Sequence, residues 1–328
     1  MRTTVVLLVL MAALVVSAAA GIFVGAVPLA PGDVLGALLG SDSTSGTIVR
    51  DLRLPRVLGA ALVGGALAGA GALLQGLLRN PLADPFVTGT SAGASLGAVI
   101  AVALGASGGL VPLAAFVGAM VAIAVVWRLA RLGGRTTVLT VLLAGVVLTS
   151  FAGAVVTFVL VSSDRLALRL RAVLGWLQGG VSVIDWPELV VAALVVTIGI
   201  AAALLLAPRI DAYAFGEETA AALGIDLDRT TVAVLGTTAL LTGAAVAIAG
   251  LIGFVGLVVP HALRFVLGAT HRRLVIASIP AGATALVLAD LGARTLLAPA
   301  ELPVGVITGL IGAPFFLVLL VRSRQVIV

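Results

Sequence analysis

The chain consists of long apolar runs separated by short polar or proline-containing stretches over almost its whole length. A helix that crosses a bilayer core about 30 Å thick needs about 20 apolar residues, which is close to the length of these runs. The pattern therefore predicts an all-α polytopic membrane protein with about ten transmembrane helices. They are the run that begins at Thr3 and the segments Leu54–Leu78, Phe86–Ala106, Leu110–Leu129, Val138–Val161, Leu189–Ala207, Thr230–Ala249, Leu251–Leu267, Leu274–Leu291 and Val304–Val321.

The first apolar run has two interpretations. Ser17–Ala20 resembles the cleavage site of a signal peptide, and Arg2 could serve as its charged start. However, no charge interrupts the chain from Thr3 to Pro31, whereas the apolar part of a signal peptide spans about 7–15 residues. The length favours a first transmembrane helix.

The composition agrees with a helix bundle in a bilayer. Hydrophobic residues make up 61% of the chain and charged residues 10%, against about 25% charged in a typical soluble domain. The 40 glycines favour closely packed helices, because small residues let helix backbones approach each other in lipid. The chain has no cysteine, which excludes disulfides and thiolate metal sites.

All 19 cationic residues are arginines, and the sequence contains no lysine. Without lysine the chain lacks a Walker A loop, so any ATP hydrolysis belongs to a separate partner. The arginines stand singly or in small groups between apolar runs, which fits membrane topology better than nucleic-acid binding. Threading ten helices from a cytoplasmic N-terminus places twelve arginines inside and seven outside, and returns the C-terminus to the cytoplasm.

Residues 1–328 therefore form one transmembrane domain with three longer connections. An external segment covers residues 28–53, an external loop covers residues 162–187, and a cytoplasmic loop covers residues 208–229. The external loop contains a predicted helix at Leu166–Gln178. The cytoplasmic loop contains another at Gly216–Gly224, with Glu217 and Glu218 in its first turn, where the helix dipole favours acidic side chains.

Four blocks of sequence resemble the FecCD-type permeases, which include the vitamin B12, haem and iron-siderophore importers. The resemblance extends from Arg50 to Arg322. The blocks are Arg53–Pro85, with its RLPR and RNPLADP ends, GEETAAALGID at Gly216–Asp226, GFVGLVVPHALR at Gly253–Arg264 and AELPVGVITGLIGAP at Ala300–Pro314.

The resemblance implies the permease fold of a type II ABC importer and a homodimer of ten-helix subunits with the transport path along its axis. It implies two ATPase subunits on the cytoplasmic side, which hold ATP and Mg, while this chain binds no cofactor itself. It also implies a periplasmic or lipid-anchored substrate-binding protein on the outside. The expected location is the cytoplasmic (inner) membrane of a bacterium.

The family's coupling helix, which enters a groove of the ATPase, matches the predicted cytoplasmic helix. A solvated loop helix is the alternative for the same pattern. The residues that the resemblance assigns to coupling are Gly216, Glu217, Glu218, Thr219, Ala222, Leu223 and Gly224.

Three external arginines match positions at which the family receives carboxylates from the binding protein: Arg53, Arg56 and Arg294. Arginine suits this role because its planar guanidinium binds a carboxylate with two hydrogen bonds. Two other uses stay open. Arg53 and Arg56 could anchor a helix end at the membrane interface, and Asp290, four residues before Arg294, could neutralise it.

Asn80, Pro81 and Leu82 resemble the inner gate of the vitamin B12 permease, and an ordinary helix stop is the alternative. Hydroxyl and amide side chains along the neighbouring helices are candidates for lining the path, although such groups also pack helices together. These candidates are Gln75, Thr88, Thr90, Ser91, Ser95 and Thr149.

Two rival functions use features of the same sequence. Gly89–Gly93 matches the G-x-S-x-G pattern of hydrolases, but no strand precedes the serine, and the chain's two histidines lie in or beside one cytoplasmic loop. His261 is expected to have a capping or interface role and His271 to be a loop residue. An ion-coupled secondary transporter would need ionisable groups in mid-membrane, where acidic residues are nearly absent.

The predicted path contains no cysteine, no central histidine and no tyrosine, since Tyr213 lies in the cytoplasmic loop. Nothing there could strip and bind bare iron, so the metal is expected to cross inside its chelator. A ferric siderophore is the expected cargo, with haem or cobalamin as alternatives.

Overall fold

The computed structural model describes residues 2–131, 138–163, 170–181, 185–268 and 270–324, and every regular element in these ranges is helical. A π-helical turn at Ile48–Arg53 and a 3-10 turn at Pro85–Thr88 accompany the α-helices. The α-helices are α1 (Arg2–Phe23), α2 (Pro31–Leu38), α3 (Thr44–Thr47), α4 (Leu54–Leu77), α5 (Thr90–Ala103), α6 (Leu110–Arg131), α7 (Val138–Ser162), α8 (Leu170–Leu177), α9 (Trp186–Tyr213), α10 (Glu217–Ala222), α11 (Leu227–Ala249), α12 (Val255–Leu267), α13 (His271–Thr295) and α14 (Val304–Arg324).

Seven helical segments among the described residues are long and apolar enough to span a membrane, and three shorter apolar helices accompany them. Together they correspond one for one to the ten predicted segments. The shorter three are α5, α12 and the first part of α14. The prediction of an all-α polytopic membrane protein is confirmed.

Helix α4 lies at the centre of the bundle and packs against α13, α11 and α9. In the span that contains it, 83% of the most apolar window is buried, compared with 11% for α1 at the periphery. The crossing of α4 and α13 is made by Gly64 and Gly282. A Cβ atom on either glycine would collide with the carbonyl oxygen of the other. Close backbone approach therefore replaces side-chain interdigitation at this crossing, as the glycine content predicts.

Two breaks in helical structure lie next to each other inside the bundle. One follows α4 and includes the 3-10 turn, and the other covers residues 250–254 before α12. Pro85 packs against Gly256 at the start of α12, so the two breaks are in contact. Non-helical backbone at this depth is tolerated because protein surrounds it.

Several helix boundaries differ from the predicted ones. Helical structure begins at Thr44, inside the predicted external segment 28–53, and continues to Leu77 as one span. Its π-helical turn directly precedes Pro55, which has no N–H to donate to the carbonyl of Asp51, so the turn widens instead of breaking. Helix α9 likewise continues through Pro208 to Tyr213, into the first part of the predicted cytoplasmic loop 208–229.

The remaining shifts are small. Helix α5 begins at Thr90 instead of Phe86, and α12 begins at Val255 instead of Leu251. The helix predicted at Leu166–Gln178 corresponds to α8, although residues 166–169 lie outside the described part of the chain.

Candidate functional site

Helix α10, the predicted coupling helix, lies at one end of the bundle in a loop that connects α9 to α11. The hydroxyl of Tyr213, at the end of α9, donates to the carbonyl of Leu227 at 3.0 Å, and Leu227 begins α11. Asp226 accepts from the N–H of Arg229 at 3.0 Å and so caps α11. Ala220 is fully buried and fixes α10 against the loop. The loop is therefore held at both ends and at its centre.

The outward side of this loop combines apolar and acidic groups. Phe215 is 77% exposed and Leu223 is 67% exposed, although both are large hydrophobic side chains. Glu218 and Thr219 are also exposed, whereas Gly216 is only partly exposed. Such a surface suits burial against another protein better than contact with water.

Helix α4 ends in a Schellman motif. The N–H of Asn80 donates to the carbonyl of Gln75 at 3.1 Å, and the N–H of Arg79 donates to the carbonyl of Gly76 at 3.2 Å. Arg79 adopts the left-handed conformation, with φ of 48°, at the position that glycine usually occupies in this motif. Helix α4 thus ends at Leu77, shortly before Asn80–Leu82, which we call the proposed gate.

Side-chain contacts tie the proposed gate to its surroundings. The Asn80 side chain accepts from the N–H of Leu82 at 2.9 Å, which forms a compact turn. The carbonyl of Pro81 lies 3.3 Å from Nδ1 of His261 on α12, which must donate because a carbonyl only accepts. His261 therefore has the interface role that the sequence predicts.

Most of the polar side chains predicted to line the path form hydrogen bonds inside the chain, although the buried Oε1 atom of Gln75 has no hydrogen-bond partner among the described residues. Gln75 is 1% exposed and donates to the carbonyls of Gly256 and Leu257 at 3.3 and 3.1 Å, so it holds α4 to α12. Thr88 and Thr90 are buried and both donate to the carbonyl of Pro85. The geometry gives these three residues a packing role.

Ser91, Ser95 and Thr149 have different surroundings. Ser95 is buried and donates to the carbonyl of Ser91 within α5 at 2.9 Å. Ser91 is partly exposed, and Thr149 is exposed on α7. Of the predicted path residues outside the gate, Ser91 and Thr149 are therefore the two whose side chains reach the surface.

Of the three arginines predicted to be external, Arg56 and Arg294 form a network with two acids, and Arg53 binds backbone carbonyls nearby. Arg56 donates from Nε to Asp290 at 2.9 Å and from Nη1 to Glu301 at 2.9 Å. Nε of Arg294 lies 3.0 Å from the other carboxylate oxygen of Asp290. Arg53 donates to the carbonyls of Ile22, Phe23 and Val27 at and beyond the C-terminal end of α1. The network joins α1, α4, α13 and the connection to α14.

The three arginines differ in how much of each side chain is exposed. Arg53 and Arg294 are 5% and 3% exposed, so neither guanidinium is presented to a second protein. The geometry does not support a docking role for them. Arg53 is bonded to the backbone at the end of α1 and is not a side chain that reaches to the membrane interface. Arg294 lies beside Asp290, as in the alternative that the sequence left open for it. Arg56 retains 15% side-chain exposure beside Glu301, whose side chain is 45% exposed.

The sequence missed two members of these sites. Glu301 lies in the AELPVG block, but its partner Arg56 is 245 residues away and no local pattern indicates the pairing. His271 was predicted to be a loop residue, and this is wrong. It is the first residue of α13, it is 4% exposed, and its imidazole contacts Asp211 of α9.

The described residues give no support to hydrolase or metal chemistry. Ser91 lies on α5 directly after the 3-10 turn, and no strand precedes it among the described elements. A search of the described residues finds no group of three histidine or acidic side chains that could hold a metal ion.

Sequence and structure comparisons agree with this architecture. A profile of the FecCD transport family matches residues 10–322. The chain is 41% identical to the cobalamin import system permease of Halobacterium salinarum over 289 residues, covering 88% of this chain and 76% of the relative. It is 41% identical to the vitamin B12 import system permease of Vibrio vulnificus, with 99% and 96% covered. It is 37% identical to the haemin transport system permease of Yersinia pestis, with 84% and 83% covered.

A solved structure extends the likeness to the whole fold. An inward-facing conformation of an ABC transporter, assigned to the metal-chelate type, superposes with a TM-score of 0.84 at 29% identity. The superposition covers 98% of this chain and 99% of the other.

Proposed function

The chain belongs to the FecCD transport family and is an ABC importer permease, and on that basis we propose that it carries an intact metal chelate inward across the cytoplasmic membrane. Two copies would enclose the path, and two separate ATPase subunits would bind below them. The N- and C-termini would lie in the cytoplasm, as the excess of internal arginines favours.

The observation that carries the proposal is the projecting loop around α10. It exposes Phe215 and Leu223 beside acidic side chains and is held rigidly to α9 and α11. Glu217 of α10 also reaches Arg79, directly before the proposed gate, at 3.4 Å. A partner that binds this loop would therefore act close to the cytoplasmic end of the transport path. This chain would form the path and the binding surface for the ATPase, and the ATPase would bind ATP and Mg and supply the energy.

Among metal chelates we propose cobalamin as the first cargo to test. Two relatives at 41% identity are named as cobalamin or vitamin B12 permeases, and one at 37% as a haemin permease. The ferric siderophore expected from the sequence is the second candidate, favoured by the likeness to a metal-chelate-type transporter. No side chain at the proposed gate is specific to one of these chelates.

On the external side, we propose that Arg56 receives a carboxylate of the substrate-binding protein. It is the one arginine of the predicted docking set with an accessible edge. Replacing Arg56 with Glu would test this, and the expected result is a loss of binding-protein affinity that is largest at low salt, where the new repulsion between carboxylates is screened least.

The function is tested by reconstituting the chain with its copurified ATPase and binding protein in proteoliposomes. Uptake of radiolabelled cyanocobalamin, haemin and a ferric siderophore is measured with ATP and with a non-hydrolysable analogue. ATP-dependent uptake of one chelate supports the proposal and identifies the cargo. Flux of all three at equal rates without ATP would refute an importer.

A further inference from the structure

Three helix ends meet at one point beneath the proposed gate, where Ile210 and His271 are buried and the Asp211 side chain is 30% exposed. Asp211 lies near the end of α9, and one of its carboxylate oxygens accepts the backbone N–H of His271 at 2.6 Å. The same oxygen lies 3.1 Å from Nδ1 of the His271 ring. Because an ionised carboxylate only accepts, Nδ1 carries the hydrogen of this contact. Asp211 thus caps α13 from another helix and fixes its first side chain.

The end of α4 rests directly on this pair. A Cβ atom on Gly76 would collide with Cγ2 of Ile210 and would lie 2.5 Å from Cδ2 of His271. Ile210 is fully buried and His271 is 4% exposed, so neither side chain has free space into which to withdraw. The α4 backbone is therefore packed directly against α9 and α13 at Gly76. We call Gly76, Ile210, Asp211 and His271 the helix-end junction.

The helix-end junction lies between the two moving parts of the proposed mechanism. Asp211 stands two residues before Tyr213, whose hydroxyl holds the loop that carries α10. Gly76 stands four residues before Asn80, and its carbonyl accepts the N–H of Arg79 in the helix stop. The loop and the proposed gate are thus each within about one helical turn of the same buried contact.

A second connection between these parts is weaker. Arg79 and Glu217 lie 3.4 Å apart, and their side chains are 45% and 47% exposed. Exposed ion pairs of this kind hold little free energy and are screened by salt. The packing of Gly76 against Ile210 and His271 is the stiffer of the two connections, because packed interiors transmit displacement instead of absorbing it.

We propose that the helix-end junction transmits movement of α10 to the gate, with Asp211 and His271 as positioning residues. When α10 moves, it displaces the end of α9. Because Asp211 is bonded to His271, the start of α13 moves with it. Ile210 and His271 then displace Gly76 and the end of α4, which they contact. The inference rests on the proposed function, since it needs an ATPase that moves α10.

The test compares Asp211→Ala with Asp211→Asn in the reconstituted complex. Asparagine keeps an oxygen that can accept from the N–H and ring of His271, whereas alanine removes it. We expect chelate transported per ATP hydrolysed to fall about tenfold in Asp211→Ala, the factor that corresponds to about 1.4 kcal/mol. Asp211→Asn should stay within about threefold of the wild type. Equal, near-normal ratios in both variants would overturn the inference.

A spectroscopic measurement separates this inference from the function on which it rests. The chain has no cysteine, so single labelling sites can be introduced without removing native thiols. Spin labels at Ala221→Cys, an exposed position of α10 outside the predicted coupling residues, report the distance between the two copies of α10, and labels at Asn80→Cys report the distance between the two gates. With native Asp211 both distances should change when ATP binds. No change at residue 221 would refute the proposed function.

In Asp211→Ala, the change at residue 221 should persist while the change at residue 80 disappears. A purely structural role for Asp211 would lower the unfolding midpoint and leave both changes in place in the folded fraction. Retention of the full change at residue 80 in Asp211→Ala would therefore refute the junction and leave the transporter function intact.

Discussion

Asp290 is the most consequential single charge in the external network, because two arginines depend on it. Its side chain is 1% exposed and lies 2.9 Å from Arg56 and 3.0 Å from Arg294. Replacing Asp290 with Asn keeps the shape of the side chain but removes the negative charge. Arg294, with a side chain that is 4% exposed, then has no acid beside it.

Burial sets the expected magnitude. Removing one partner of a buried ion pair costs about 3–5 kcal/mol, because the other charge is left without compensation. Glu301 provides the matched control, since its side chain is 45% exposed and it contacts Arg56 alone within the network. Solvent screens that pair, so Glu301→Gln should cost at most about 1 kcal/mol.

The assay is unfolding of the purified chain in one detergent, followed by helical circular dichroism during heating. Asp290→Asn should lower the midpoint several times more than Glu301→Gln does. The double variant Asp290→Leu with Arg294→Met removes the buried charges together and should recover most of the loss. Equal shifts for Asp290→Asn and Glu301→Gln, or no recovery in the double variant, would refute an account based on an uncompensated buried charge.

Three further predictions concern packing, orientation and coupling. Gly64→Ala should lower the free energy of unfolding by several kcal/mol, because the new Cβ atom meets the backbone of Gly282. Gly236→Ala on α11 is the control, since its Cβ atom meets nothing within 4 Å. The thermal midpoints of the two variants check this prediction, and equal midpoints would contradict it. A membrane-impermeant thiol reagent should label Asp42→Cys from outside intact cells and Glu218→Cys only after permeabilisation; the reverse pattern would invert the proposed topology. Glu218→Arg should abolish copurification of the ATPase while leaving the unfolding midpoint unchanged, since Glu218 is exposed; unchanged copurification would remove this side chain from the contact.

The family blocks located the parts of the site more successfully than they assigned roles to individual side chains. The helix at Gly216–Gly224 and the break at Asn80–Leu82 both occur in the structure close to their predicted positions. Local signals are sufficient there, because acidic residues at a helix start and a proline after a helix act within one turn of chain. The roles of Arg53 and Gln75 depend instead on distant backbone carbonyls, which their own neighbourhoods do not indicate.

Prolines show the same limit at the level of helix boundaries. Pro55 and Pro208 suggest breaks by local rules, yet both lie inside continuous helical spans. A lost backbone hydrogen bond is tolerated when tertiary packing or a wider turn compensates for it. The sequence shows where the proline is, but it does not show the packing or the wider turn that compensates for the lost hydrogen bond.

Hydropathy alone determined that this protein is a bundle of about ten membrane helices, because a bilayer requires each crossing to be an apolar run with all its backbone hydrogen bonds satisfied within it. The tertiary structure decided which polar side chains stay inside. Arg56 meets Glu301 and Asp211 meets His271 across 245 and 60 residues of sequence. Such pairs form only where packed helices bring distant positions together. Whether an arginine is buried and structural or accessible to a partner also depends on this packing, because no local sequence pattern encodes burial.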